Sequence, residues 1–390
     1  MKQKILLSSL GLIFVIFTFQ SLQAQTKSVE AKGTGISRDD ALQDALRNAI
    51  GQAVGVSISS TTEVENFMII KDAIESNTRG YITNYEISSE TKLQNGYEVS
   101  VKASVSLSPI KADAQLLARQ IGGVRFLVMY DKRHVEKEKI NEFEYAVDRI
   151  NAYLSEKNYR YIEKSRFERL QEEAFLIMED TDTSTMSFVQ KLGLMSGAQF
   201  IILVDGINVS ERSENFDTRT AARVVIETRV YDNCTAEGLG TVMLESNWNS
   251  SGSATMTGID EAIDAGFEKV MGTFNSYIGN WVNNGTPYEL RFYQVGTFRD
   301  FRDLRNKIKE SPDFGGQFQI TSVNNYTRLN ATFKNVPDDI AFQILDFADA
   351  IPGFAEKELD VIMIYGRQIS FAPREIVVPE IEAAKEFTDQ

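Results

Sequence analysis

The sequence has 390 residues, a formal net charge of -14 at pH 7, one histidine and one cysteine. That charge repels phosphate backbones and anionic lipid at long range, so no nucleic-acid partner is expected. A lone cysteine excludes an internal disulfide, and one cysteine with one histidine falls short of the four ligands of a structural zinc site.

The chain opens on Met1-Lys2-Gln3-Lys4, an apolar run from Ile5 to Phe19, and Leu22-Gln23-Ala24 before polar sequence. This is the pattern of a cleavable signal peptide over 1–24, with cleavage after Ala24, and it predicts export to the periplasm. An apolar core of about fifteen residues is shorter than the roughly 20 that cross a bilayer. No second long apolar run follows, so no membrane span is expected in the mature chain, and no cysteine stands near the cleavage site to carry a lipid. What remains is too long for one core, and it reads as α/β and α+β, three small sheet-plus-helix domains after the signal peptide. The expected domains are 28–108, 122–284 and 287–372, followed by a loose tail over 373–390.

In the first domain a short strand ends at Gly33-Thr34-Gly35, and Ser37 with Asp40 has the spacing of a capping box. Ala41, Ala45, Ala49 and Ala53 then recur every four residues, which predicts a helix lying close on a sheet. Val64 to Ser76 reads as a second helix. Tyr81 to Leu93 reads as a strand, Asn95-Gly96 as a hairpin turn, and Tyr97 to Leu107 alternates apolar and polar residues as a half-buried strand does. The Gly33-Thr34-Gly35 turn, the alanine helix, Asn66-Phe67 leading to Asp72-Ala73-Ile74, and Arg79-Gly80-Tyr81-Ile82 together resemble the N-terminal domain of the flagellar assembly protein T family. The resemblance covers about a fifth of the chain. It implies a periplasmic module of helices on a small sheet that takes part in envelope assembly, with no active site to carry over.

The second domain alternates elements: a buried strand at Val124 to Tyr130, a helix over Glu138 to Lys157, a strand at Tyr159 to Glu163, two helices between Ser165 and Leu192, and a strand at Ala198 to Val204. Ala221 to Tyr231 and Leu239 to Trp248 read as long strands, and an amphipathic helix starts near Asp260. Tyr159-Arg160-Tyr161-Ile162-Glu163-Lys164-Ser165 and the run from Gly197 to Gly206 resemble the N-terminal domain of the Tol-Pal translocation protein TolB. They also resemble the α/β domain of the curli secretion channel family, although the lipid-bearing cysteine and membrane hairpins of that family are absent.

In the third domain Leu290 and Phe292 mark a strand, Phe301, Leu304 and Ile308 a helix face, and Phe318 and Ile320 a second strand. After a turn at Asn324-Asn325, Leu329, Ala331 and Phe333 continue the sheet. A helix starts at Pro337 with Ile340, Ile344, Leu345 and Ala348 on one side, and Val361 to Tyr365 is the last strand. This β-α-β-β-α-β order resembles the small ring-building domains of envelope secretion machines, which implies lateral self-packing; a solitary α+β domain is the other reading.

The chemistry is sparse. His134 lies in an alternating run of charges, the pattern of a solvated loop. Glu179-Asp180-Thr181-Asp182 lacks the glycine and distal glutamate of a calcium loop, and reads as a polar linker. Gly33-Thr34-Gly35 lacks the remainder of a phosphate-binding fingerprint and reads as a turn. Cys234 reads as a structural thiol, the alternative being an intermolecular disulfide. No catalytic, cofactor-binding or metal-binding residue is therefore assigned, no cofactor or small-molecule substrate is evident, and the chain is not expected to be an enzyme. The expected function is envelope assembly or scaffolding through an envelope protein or self-association. The alternative is an envelope hydrolase whose carboxylates meet only in the fold.

Overall fold

The computed structural model describes residues 26–59, 67–76, 80–121, 124–163, 193, 195–213, 220–250, 253–322, 326–379 and 381. The signal peptide, the two helices expected between Ser165 and Leu192, the acidic run at Glu179 to Asp182 and the Asn324-Asn325 turn lie outside these residues. The described residues form mixed helices and sheets, with three separate sheets. The chain divides into two compact units, one within 1–57 and 78–112, the other within 58–77 and 113–390.

In the first unit, strand β1 (Thr26–Gly35) pairs antiparallel with β3 (Gly96–Ser106), whose other side takes β2 (Ile82–Leu93). Helix α1 (Arg38–Ser59) covers one face with its alanines. The capping box forms: the Asp40 amide donates to Ser37 Oγ (3.1 Å), and the Ser37 amide to Asp40 Oδ2 (3.2 Å). Polar residues of α1 also blunt the free edge of β1, since Asn48 Nδ2 donates to the Lys32 carbonyl (2.8 Å) and the Thr34 amide to Asp44 Oδ2 (3.0 Å). The alternating strand stops at Ser106. Leu107 instead opens α3 (Leu107–Ile121), which runs past the last residue of this unit, Ala112, and is a helix not expected from the sequence although Ile110, Ala114, Leu117 and Ile121 keep a helical spacing and are buried.

The second unit holds two sheets. The first has the order β4-β5-β6-β7, from β4 (Phe126–Met129), β5 (Phe200–Ser213), β6 (Thr220–Asp232) and β7 (Glu237–Glu245), with β4 parallel to β5 and the others antiparallel. Tyr159 to Glu163 contributes a single bridge, Tyr161 to Phe126, and not a strand. Helices α4 (Ile140–Glu156) and α5 (Ala254–Asn284) pack on this sheet, and α2 (Phe67–Ser76) packs on α5. Helix α5 begins six residues before Asp260. Its early turns contain Gly258, where a Cβ would stand 2.6 Å from Val224 Cγ2, so the glycine serves close packing on the sheet.

Within this unit Asp72 of α2 accepts from the Tyr159 hydroxyl (2.5 Å) and from Asn275 Nδ2 (3.2 Å). Burial pushes the Asp72 carboxyl above its ordinary range, against the pull of Tyr159, Lys71 and Asn275. An acid whose folded pKa is raised binds its proton more tightly in the folded state. Its stabilising contribution is complete below the unfolded pKa, near 4, and is lost as pH rises through the folded value. Asp72→Asn keeps an acceptor and removes this loss, so its thermal midpoint should exceed that of the parent at pH 7, with the gap closing as pH falls toward 4. A gap that widens on acidification contradicts this account.

The other sheet of the unit has the order β11-β12-β8-β10-β9, from β8 (Thr286–Tyr293), β9 (Phe314–Ser322), β10 (Tyr326–Phe333), β11 (Leu359–Tyr365) and β12 (Gln368–Pro373). Helices α6 (Phe298–Glu310), α7 (Pro337–Asp349) and the short α8 (Pro352–Ala355) share its core, which centres on Phe292, Phe301, Phe354 and Phe371. Strand β12 goes beyond the expected β-α-β-β-α-β order. It follows a tight turn at Gly366 (φ 52°) and inserts antiparallel to β11 and parallel to β8. In the stretch read as a loose tail, Val378 and Ile381 are buried against Tyr293 and Ala372.

Candidate functional site

A cleft of about 470 Å³ opens in the second unit between its two sheets. One wall is the β6–β7 turn, through Thr235, Ala236 and Glu237; the floor comes from Pro287 and Tyr288 on β8, Gln317 to Gln319 on β9, and Arg328 and Asn330 to Thr332 on β10. Strand alternation explains the floor. Leu329, Ala331 and Phe333 enter the core, so Arg328, Asn330 and Thr332 point to the opposite face. The register aligns Gln368, Glu289, Asn330 and Gln319 in one row across four strands, and Arg328 stands beside Arg291 in the next.

Charge in this floor is buried. Glu289 is fully buried and ion-paired with Arg291 at 2.5 Å, while Arg328 Nη1 stands 3.9 Å from Glu289 Oε2. Burial opposes the Arg291 charge, but Glu289 overrides it and raises the guanidinium pKa above its ordinary value. Two guanidiniums thus share one carboxylate. Among the residues lining the cleft, Thr235 Oγ1, Arg328 Nε and Asn330 Oδ1 are buried with no hydrogen-bond partner, and just below them so are Glu289 Oε2 and Gln368 Nε2. Buried polar atoms are nearly always satisfied, so this group is set for partners from outside the chain or for water.

The walls are held in register by a buried joint. Arg367, in the β11–β12 turn, grips Asp232 at the end of β6 through two bonds of 2.6 Å, and donates to the Pro287 carbonyl at 3.2 Å. Its guanidinium lies 4.5 Å from the Trp281 ring centroid. Asp232 also accepts from the Tyr277 hydroxyl (2.7 Å) and the Cys234 amide (3.0 Å). Tyr365 reaches from the other sheet to the carbonyls of Gly193 (3.0 Å) and Ala198. These groups lie immediately before the Thr235 wall and the Pro287 floor, so the joint sets the width of the cleft.

The residues weighed from the sequence lie elsewhere or are occupied. His134 is mostly exposed in the single turn Lys132–His134, with Nδ1 3.1 Å from Asp131, and does not line the cleft. Gly33 and Gly35 let β1 touch the backbone of Ala41 and Ala45. Cys234 is buried under the joint, and burial pushes its thiol up to about 12, so it is neither nucleophilic nor positioned for a disulfide between molecules. Among the described residues no group of three or more His, Cys, Asp or Glu side chains could hold a metal ion. Glu289, Arg328, Asn330, Asp232 and Arg367 were not singled out from the sequence. Polar residues alternating along a strand are the ordinary sign of a wetted sheet face, and only tertiary structure builds a wall over them.

No family model matches the chain, and no curated protein matches it. Among solved structures, the hypothetical protein CT253 from Chlamydia trachomatis aligns over 41% of this chain and 98% of its own, at 10% identity and a TM-score of 0.20. No described helix is long and apolar enough to cross a membrane.

Proposed function

We propose that this is an exported assembly or scaffold protein of the cell envelope that works by holding a segment of a partner polypeptide in the cleft of its second unit. The unpartnered buried atoms of Thr235, Arg328 and Asn330 carry this reading. Carboxamides such as Gln317, Gln319 and Asn330 offer both donors and acceptors, which suits a polypeptide main chain. Glu237 in the wall and Arg328 in the floor add one charge of each sign. The N-terminal pattern and the resemblance of the first domain to the flagellar assembly protein T family support the envelope setting.

The test places a photo-crosslinking amino acid at Gln319 and, as a control, at exposed Lys357 in cells expressing the full chain. A discrete adduct is expected from position 319 and not from 357, in a fraction released by osmotic shock. Arg328→Ala should reduce it roughly tenfold or more, because a charged hydrogen bond contributes about 1.5–3 kcal/mol. Equal labelling at both positions, or retention of the chain in the cytoplasm, rejects the proposal.

A further inference from the structure

The helical layer of the last sheet is electrically divided. Helix α6 carries five basic and three acidic residues, whereas α7 carries four aspartates and no basic residue. Each helix also leaves one large aromatic in solvent, Phe298 (75% exposed) on α6 and Phe342 (68%) on α7.

Helical spacing groups these features. On α7 the buried side is Ile340, Ala341, Ile344 and Ala348. Phe342 falls on the opposite side, with Asp338 and Asp346 one turn away on either side, Asp339 three residues before it and Asp349 seven after. On α6 the buried residues are Phe301, Leu304 and Ile308, while Phe298, Arg302, Arg305 and Lys309 follow one another at intervals of four, three and four along one flank. None of the four aspartates of α7 has an ion-pair partner among the described residues, and neither do Arg305 and Lys309. Arg305 Nε is in addition buried without a hydrogen-bond partner. One stripe is aromatic and acidic and the other aromatic and basic, on a protein whose overall charge would otherwise drive copies apart.

We infer that these stripes are the two halves of a contact between copies of this chain, the Phe298–Arg302–Lys309 flank of one protomer docking on the Phe342 face of the next. The halves differ, so the contact is head-to-tail. It propagates into a ring or a filament and does not stop at a two-fold dimer. The inference concerns a surface separate from the cleft, and rests on the scaffold reading only in taking self-association as part of the function.

Sedimentation velocity on the purified chain tests it, across concentration and at low and high salt. Species larger than a dimer are expected at low salt and monomer at high salt, since exposed charge pairs are screened. Asp346→Lys with Asp349→Lys should weaken association at least tenfold, and so should Arg302→Glu with Lys309→Glu. A mixture of the two double variants should regain long assemblies, because the original α6 flank of one docks on the original α7 face of the other while the altered halves dock in the same α6-on-α7 orientation to continue the chain, and the quadruple variant should regain them alone. All these positions lie on exposed or flanking sites, and circular dichroism of each variant confirms folding. A monomeric parent at about 100 μM in low salt, or reversals that leave association intact, overturns the inference. So does crosslinking from position 342 to a different protein, which would reassign the face. The Gln319 adduct is unaffected by all four reversals, so it separates failure of this contact from failure of the cleft.

Discussion

Replacing Arg367 with methionine should destabilise the second unit by about 3–5 kcal/mol, because it leaves Asp232 charged, fully buried and deprived of its bidentate partner. The Tyr277 hydroxyl and the Cys234 amide would still reach the carboxylate, but two neutral donors do not replace a guanidinium. Losing the cation over the Trp281 ring adds to the cost. Buried ion pairs are not intrinsically better than a packed apolar substitute, so Asp232→Leu combined with Arg367→Met should cost less than the sum of the two single changes. Chemical denaturation of the three variants decides the matter. Additive losses would show that the pair does not act as a unit. The same series reports on the cleft: if the joint sets its width, Arg367→Met should also weaken the Gln319 adduct under conditions where the protein remains folded.

Local patterning made the elements legible where one chemical rhythm governed them. The four alanines of α1 and the apolar series of α6 and α7 each name a face that is buried in the structure, and the capping box of Ser37 and Asp40 names a helix start that forms in solvent. Misreadings occurred where one residue type serves two purposes. Leu107 continues an alternating apolar pattern and yet opens a helix. Strand β12 was missed because Gly366 turns the chain back after a strand that already completed a familiar order. The cleft was illegible for a deeper reason. Asp232 and Arg367 are 135 residues apart, and nothing in the neighbourhood of either shows that it will be buried against the other. The acidic and basic stripes of α7 and α6, by contrast, could be read from the sequence once Phe298 and Phe342 were placed outside their helices' buried sides.

Gly33→Val should be the most damaging single change in the first unit. A Cβ at this position would collide with the Ala45 nitrogen, the Ala41 carbonyl oxygen and the Asp44 carbonyl carbon, all of them helix backbone. Side chains can rotate away from an added methyl group, but a hydrogen-bonded helix must move as a body, and α1 would have to lift from β1. Lifting it separates the alanine face from Val99, Val101, Ala103 and Val105, and breaks the bonds from Asn48 to the Lys32 carbonyl and from the Thr34 amide to Asp44. Ordinary overpacking costs about 1–3 kcal/mol, and a site with no yielding neighbour belongs above that range, at roughly 3–5 kcal/mol. Because this core is distinct from that of the second unit, hydrogen exchange should accelerate in the amides of β1 and β3 while those of Phe200 to Val204 keep their protection. Acceleration shared equally by both sets would mean that the two cores unfold as one. Confinement to the first set would show that the alanine helix and its glycine partner stabilise a module of their own.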